Sequence, residues 1–176
     1  MDMKISYQQM HGHVMELIRQ IHIDDWRPDY VVGINPNGLF PAILISQYMR
    51  VPLYTLKVTF VDGTEDDCDH NAWMADDAFG FQSAFIESEV NNQKNILIVN
   101  SINNQGKTIS WIKNDWMQSC LPNDPKWKKV WGNNVRTAVI VNNICSNEEV
   151  DYCSLEINSI ETPIEIILPT EKWWNT

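Results

Sequence analysis

The sequence predicts an α/β fold in which a mostly parallel sheet carries helices on both faces. Three observations predict it. Short continuous apolar runs, Tyr30-Val31-Val32-Gly33-Ile34, Ile96-Leu97-Ile98-Val99 and Ala138-Val139-Ile140-Val141, have the look of strands buried on both sides. Segments with helical apolar spacing lie between them. The first two runs end in a polar, glycine-containing turn that leads straight into a helical pattern, as a βα unit requires.

The elements follow in order. Ser6-Tyr7-Gln8-Gln9 reads as a capping box, and Met10, Val14, Leu17, Ile18 and Ile21 fall on one face of the helix it opens. Trp26-Arg27-Pro28-Asp29 breaks that helix, and 30–34 is a short buried strand. The turn Asn35-Pro36-Asn37-Gly38 then feeds a helix over 39–49, where Pro41 is tolerable in the first turn. Residues 53–60 read as a second strand, of alternating character. Residues 61–92 break the rhythm: Asp62, Glu65, Asp66, Asp67, Asp69, Asp76 and Asp77 mix with Trp73, Met74, Phe79, Phe81 and Phe85. That is too long for a plain connection, so an excursion is expected, flexible at its acidic end and packed at its aromatic end. Residues 96–99 form the next strand, and a helix over 107–119 presents Ile109, Ile112 and Trp116 on one face. After a polar, Trp-containing connection at 121–134 come strands at 135–141 and 150–153. An apolar segment at 164–168 precedes Pro169 and the Trp173-Trp174 tail. One domain over 1–176 accommodates all of this, with 61–92 as the excursion and 155–176 as a small hood and tail.

Composition narrows the function. The 176 residues carry a net charge of −10, which repels phosphate backbones and argues against nucleic-acid binding. Trp127-Lys128-Lys129-Val130-Trp131 interleaves bases with aromatics, but two lysines do not outweigh that background. No apolar run approaches a bilayer-spanning length and the N-terminus lacks an apolar signal core, so a cytoplasmic protein without membrane contact is expected. Cys68, Cys120, Cys145 and Cys153 form no C-x-x-C pair and read as reduced thiols. No metal site is expected: the carboxylates between Asp62 and Asp69 have only His70 nearby, and His11 and His13 fall on different helical faces.

The chemistry-bearing stretch is 96–108, Ile-Leu-Ile-Val-Asn-Ser-Ile-Asn-Asn-Gln-Gly-Lys-Thr. A strand ending in a polar loop, a glycine and a helix start offers backbone N–H groups and a positive helix end to a phosphate. It is not a Walker A loop, which places four residues between its glycines ahead of Lys-Ser/Thr. Together with Gly33, Ile34, Gly38, Leu39, Pro41 and Ala42, the stretch resembles the phosphoribosyl-diphosphate (PRPP) motif of type I phosphoribosyltransferases, nearest the xanthine/guanine branch. The likeness runs over most of the chain. It implies the type I fold with its hood, transfer of phosphoribose from PRPP to a purine, and Mg²⁺ bound to the donor.

Carried over residue by residue, the resemblance places departures at every step. In the pyrophosphate loop Asn35-Pro36-Asn37-Gly38, Pro36 stands where the family has a cation, which removes a charge and an N–H donor. Asn100 and Ser101 replace the paired acids that hold the ribose hydroxyls. Asn104 takes the place of the aspartate that accepts a proton from the base, and an amide has no useful basicity near neutral pH. Gln105 replaces a hydroxyl-bearing phosphate ligand, while Gly106, Lys107 and Thr108 survive as a phosphate nest. At the base site, Glu165 and Ile166 stand where the family places Trp-Ile, Asn142 falls near a purine-contacting lysine, and Trp173 or Trp174 offers a substitute stack.

Three functions fit. The first is a phosphoribosyltransferase-like protein with lost or strongly reduced transferase activity, needing no cofactor and holding a phosphorylated nucleotide or sugar at 106–108. The second is an active purine transferase, using Mg²⁺ and relying on positioning to act on guanine, xanthine or hypoxanthine. The third is a structural or interaction module that uses 61–92 and the Trp-rich tail as contact surfaces. The clustering of departures at several family positions favours the first. The resemblance also implies a homo-oligomer, dimer or tetramer.

Overall fold

The computed structural model describes residues 2–81 and 92–171; Phe85, Trp173 and Trp174 lie outside these. In chain order the elements are β1 (Asp2–Lys4), α1 (Tyr7–Ile23), β2 (Tyr30–Asn35), α2 (Leu39–Met49), β3 (Leu53–Lys57), β4 (Phe60–Val61), β5 (Thr64–Glu65), α3 (Ala72–Phe79) and β6 (Ile96–Asn103). They continue with α4 (Lys107–Ser119), a 3₁₀ helix (Pro125–Lys129), β7 (Val135–Asn143), β8 (Tyr152–Ile157) and β9 (Glu165–Ile167). Five strands make the central sheet in the order β3-β2-β6-β7-β8, every neighbouring pair parallel.

Strand alternation explains the layers. Leu97 and Val99 of β6 pack with Val31, Ala138 and Ile140 under α1 and α2. Ile96 and Ile98 point the other way, with Val32, Ile34 and Val135, under α3 and α4. The run 96–99 is continuous in sequence because both of its faces are covered. Helix α1 opens on the expected capping box: the Gln9 N–H donates to Ser6 Oγ at 3.2 Å, and the Ser6 N–H donates to Gln9 Oε1 at 2.8 Å. Its five expected core positions are all buried. Helices α2 and α4 start and stop where the sequence placed them.

Several boundaries moved, each for a ladder reason. Strand β6 runs four residues beyond Val99, because Asn100, Ile102 and Asn103 keep pairing with Val139, Val141 and Asn142 of β7. The backbone ladder does not stop where apolar side chains do. Strand β3 ends at Lys57 rather than residue 60, because its one partner among the described residues, β2, ends opposite it at Asn35. The strand expected at 150–153 begins at Tyr152, opposite Ala138. Asp151 caps instead, its carboxylate accepting from the Thr137 N–H at 2.8 Å. Strand β8 continues to Ile157. Strand β1, which the sequence did not suggest, pairs in parallel with β9 as a separate two-stranded sheet.

The excursion holds the hairpin β4–β5 and helix α3. Met74 and Phe79 are buried, whereas Trp73 is 46% exposed against Tyr30 and Tyr54. It is anchored to α4 by buried Asp115, which pairs with His70 and accepts from the Asn71 N–H at 3.3 Å. Trp127, expected in a polar connection, is buried beside Trp131, and its indole N–H donates to Cys120 O at 2.8 Å. Among the described residues no helix is long and apolar enough to cross a membrane.

Candidate functional site

Two βα turns meet at the C-terminal edge of the sheet, where open α/β sheets form their crevices. The first joins β2 to α2 through Pro36, Asn37 and Gly38; the Asn35–Pro36 peptide is cis. Gly38 donates its N–H to Ile34 O at 2.7 Å. A Cβ at Gly38 would stand 2.4 Å from Val99 O and 2.8 Å from Asn100 Cα, so only glycine lets this turn close against β6. Asn37 donates to Glu171 Oε1 at 3.3 Å, and the other oxygen of that carboxylate accepts from the Leu168 N–H at 3.2 Å. The C-terminal segment thereby ties the first turn down.

The second turn joins β6 to α4. Gly106 sits at φ +81°, a left-handed conformation that disfavours other residues, and no side chain caps the helix it begins. The first turn of α4 contains no acidic residue. A cavity of about 270 Å³ opens here, lined by Asn100, Ile102, Asn103, Asn104, Gln105, Gly106, Lys107, Thr108, Ile109 and Val139. Six of the seven candidate phosphate-site residues therefore come together. Ser101 does not line the cavity. It is 2% exposed, and alternation carries it to the face of Leu97 and Val99. Lys107 Nζ lies 3.1 Å from where a Cβ on Gly63 would be, which brings the β4–β5 hairpin tip beside the turn.

A second cavity, of about 590 Å³, shares Ile102 and Asn104 with the first and adds Asp2, Ile157, Ser159, Pro163, Ile164, Glu165 and Ile166. Glu165 and Ile166 thus border a groove that adjoins the turn at Asn104. Asn142 lines neither cavity, since its side-chain oxygen accepts from Asn103 Nδ2 at 2.9 Å. Asn103 also lines the cavity, because β6 continues past the apolar run that ends at Val99. Pairing of Asn103 with Asn142 across the sheet is invisible without the register.

The donors decide what the first cavity can hold. Unpaired N–H groups at a helix start, an ammonium and a hydroxyl suit an anion. Carboxamides with no carboxylate among the lining residues are a poor set for Mg²⁺, a hard cation usually held by carboxylates and phosphates. Among the described residues no cluster of His, Cys, Asp or Glu could hold a metal ion. Nucleophilic thiol chemistry is not supported: burial pushes Cys120 up to about 12 with help from Asp76, and burial also raises Cys68 and Cys153. The four cysteines are free thiols.

Residues 6–171 match the family model of the phosphoribosyl transferase domain. Among solved structures, the chain is similar to a purine phosphoribosyltransferase from Pyrococcus horikoshii Ot3, with 17% identity, a TM-score of 0.64, and 97% of this chain and 95% of that one covered. The Helicobacter pylori xanthine-guanine-hypoxanthine phosphoribosyltransferase gives a TM-score of 0.64 at 11% identity, covering 99% of this chain and 95% of that one. A hypothetical protein from Neisseria gonorrhoeae with bound ppGpp gives 0.58 at 16% identity, covering 97% and 90%. No curated protein matches the chain significantly.

Proposed function

This chain belongs to the phosphoribosyl transferase family, and from that premise we propose that it binds a phosphate-bearing nucleotide or sugar while its transferase activity is lost or strongly reduced. The observation that carries the reading is the lining of the 270 Å³ cavity, where Asn100, Asn103, Asn104 and Gln105 meet Gly106, Lys107 and Thr108 without a carboxylate. Phosphate recognition needs what is present: N–H groups, a helix dipole, one ammonium and one hydroxyl. Transfer needs what is missing. Developing positive charge on a ribose calls for nearby anionic groups, and proton removal from a base calls for a basic side chain. A carboxamide at Asn104 supplies neither. Ribose hydroxyls could still hydrogen-bond to Asn100.

A second reading, an active purine transferase that uses Mg²⁺, draws on the 590 Å³ groove that abuts the first cavity at Asn104 and Ile102. On this reading the groove would take the base beside a phosphoribosyl group, though Glu165 makes a poor stacking platform. Both readings carry with them a cytoplasmic homo-oligomer, dimer or tetramer, and a purine-type ligand.

A thermal-shift screen with PRPP, pyrophosphate, GMP, XMP and ppGpp, each with and without Mg²⁺, tests the binding claim. A ligand at 100 times its dissociation constant adds about 2.7 kcal/mol, which for a chain of this size raises Tm by roughly 5–11 °C. We expect at least one phosphate-bearing ligand to produce such a shift without Mg²⁺. No shift from any of them would remove the binding reading.

A further inference from the structure

The connection between β7 and β8 does more than join two strands. Its Glu148 backbone carbonyl accepts from Asn103 Nδ2 at 2.8 Å, and Asn103 Oδ1 in turn accepts from Ser146 Oγ at 3.2 Å. Just before it, Asn143 Nδ2 donates to Asn104 O at 3.0 Å and to Asn104 Oδ1 at 3.1 Å. Both residues entering the second turn are therefore tied to this connection. Asn103 and Asn143 are buried, at 4% and 3% exposure, so these bonds face little competition from water.

The exit from the turn is held from the same side. Glu148 Oε1 accepts from Ser110 Oγ at 2.7 Å and Oε2 accepts from Lys113 Nζ at 2.5 Å, both on α4. A Cβ on Gly106 would stand 2.9 Å from the Glu148 backbone nitrogen and 3.0 Å from its Cγ, so Glu148 packs directly on the glycine. Gly106, Ser110 and Lys113 share one helical face at spacings of four and three. The carboxylate sits on the side of α4, with its charge matched by Lys113. It can therefore stand near an anion site without repelling the anion.

We infer that Glu148 is a positioning residue that holds residues 103–106 in the shape that receives an anion, with Asn103 as its tie to the strand end and Asn143 holding Asn104 independently. This gives a role to the paired asparagines of the sequence: Asn103 faces Asn142 across β6 and β7, and Asn143 bonds Asn104 just beyond the end of β6. They lock the turn through neutral hydrogen bonds. The identity of the anion rests on the function proposed above; the positioning of the turn does not.

Hydrogen exchange on the ligand-free protein separates the two. In Glu148→Ala, amides at 104–109 exchange about tenfold faster than in the wild type, while those of Leu97–Val99 keep their rates. Glu148→Gln, which keeps an acceptor oxygen for Lys113 and offers its new amide N–H to the Ser110 hydroxyl in place of the bond it accepted, stays within about twofold of the wild type. Unchanged rates at 104–109 in Glu148→Ala would overturn the assignment. So would an equal acceleration of the core strands, which would mark Glu148 as a general stabiliser, or a Gln variant as fast as the Ala one. Calorimetry with GMP forms the second arm: we expect Kd to rise about tenfold in Glu148→Ala and to return with Gln, and an unchanged Kd in the Ala variant would overturn the assignment. If the wild type binds no GMP, GMP is ruled out as the ligand, and the exchange rates still decide the role of Glu148.

Discussion

The turns that precede α2 and α4 are built alike, from a buried parallel strand, a polar loop, a glycine and a helix start, yet they do opposite things. The first is closed. Gly38 is there because Val99 O and Asn100 Cα leave no room for a Cβ, its φ of −82° is ordinary, and Asn37 is held by Glu171. Pro36 contributes no N–H. The second is open. Gly106 is there for its left-handed φ and for the backbone of Glu148 behind it, and the turn faces a cavity. One glycine serves packing and the other serves shape. Two turns of like construction can thus need a glycine for different reasons.

Substitutions at the two turns should separate them. The largest effect belongs to Gly38→Ala, which drives a methyl into backbone at 2.4 Å. We expect about 3 kcal/mol of destabilisation and a Tm lower by roughly 6–12 °C in calorimetry. A loss under 1 kcal/mol would mean that the first turn is not the closed packing element described. Next comes Lys107→Ala at the open turn. Loss of one charge-assisted phosphate contact lowers affinity for a phosphate ligand about tenfold, while Tm without ligand changes by under 1 °C. A large Tm drop with unchanged affinity would reverse the roles of the two turns.

The smallest effect lies at the anchor of the excursion. Asp115, by hydrogen bond and by charge, holds the His70 imidazole above its ordinary value of 6.5. A raised pKa makes the pair's contribution complete below the unfolded value and lost as pH rises through the folded value. The Tm gap between wild type and His70→Gln should accordingly be widest below the ordinary value of 6.5 and close as pH rises through the raised folded value. The gap stays small because His70 is 72% exposed. Ligand affinity should not move, since the open turn is set by its own neighbours. A gap that grew with pH would contradict the charged pair.

Much of the frame was legible from side-chain spacing alone. The capping box at Ser6, the extents of α2 and α4, and the glycine turn at 106 depend on local chemistry, which a sequence carries openly. What stayed hidden depended on partners. The extension of β6 through Asn103 needed β7 beside it, and β1 needed β9, which lies some 160 residues away. At the site, Asn100, Asn104, Gln105, Lys107 and Thr108 could be placed together because they are near neighbours in sequence. The burial of Ser101 follows from alternation only once β6 is known to continue. Glu148 carried no local signal at all, because its role arises where a distant loop crosses Gly106.

The central claim, a phosphate site kept and a reaction lost, meets its most direct test in a turnover measurement. The protein is incubated with PRPP, Mg²⁺ and guanine, xanthine or hypoxanthine, and nucleoside monophosphate is counted per chain by mass spectrometry. The lining of Asn100, Asn103, Asn104 and Gln105 predicts less than one product per chain, no faster than the protein-free blank. Sustained multiple turnover with any of the three bases would contradict it.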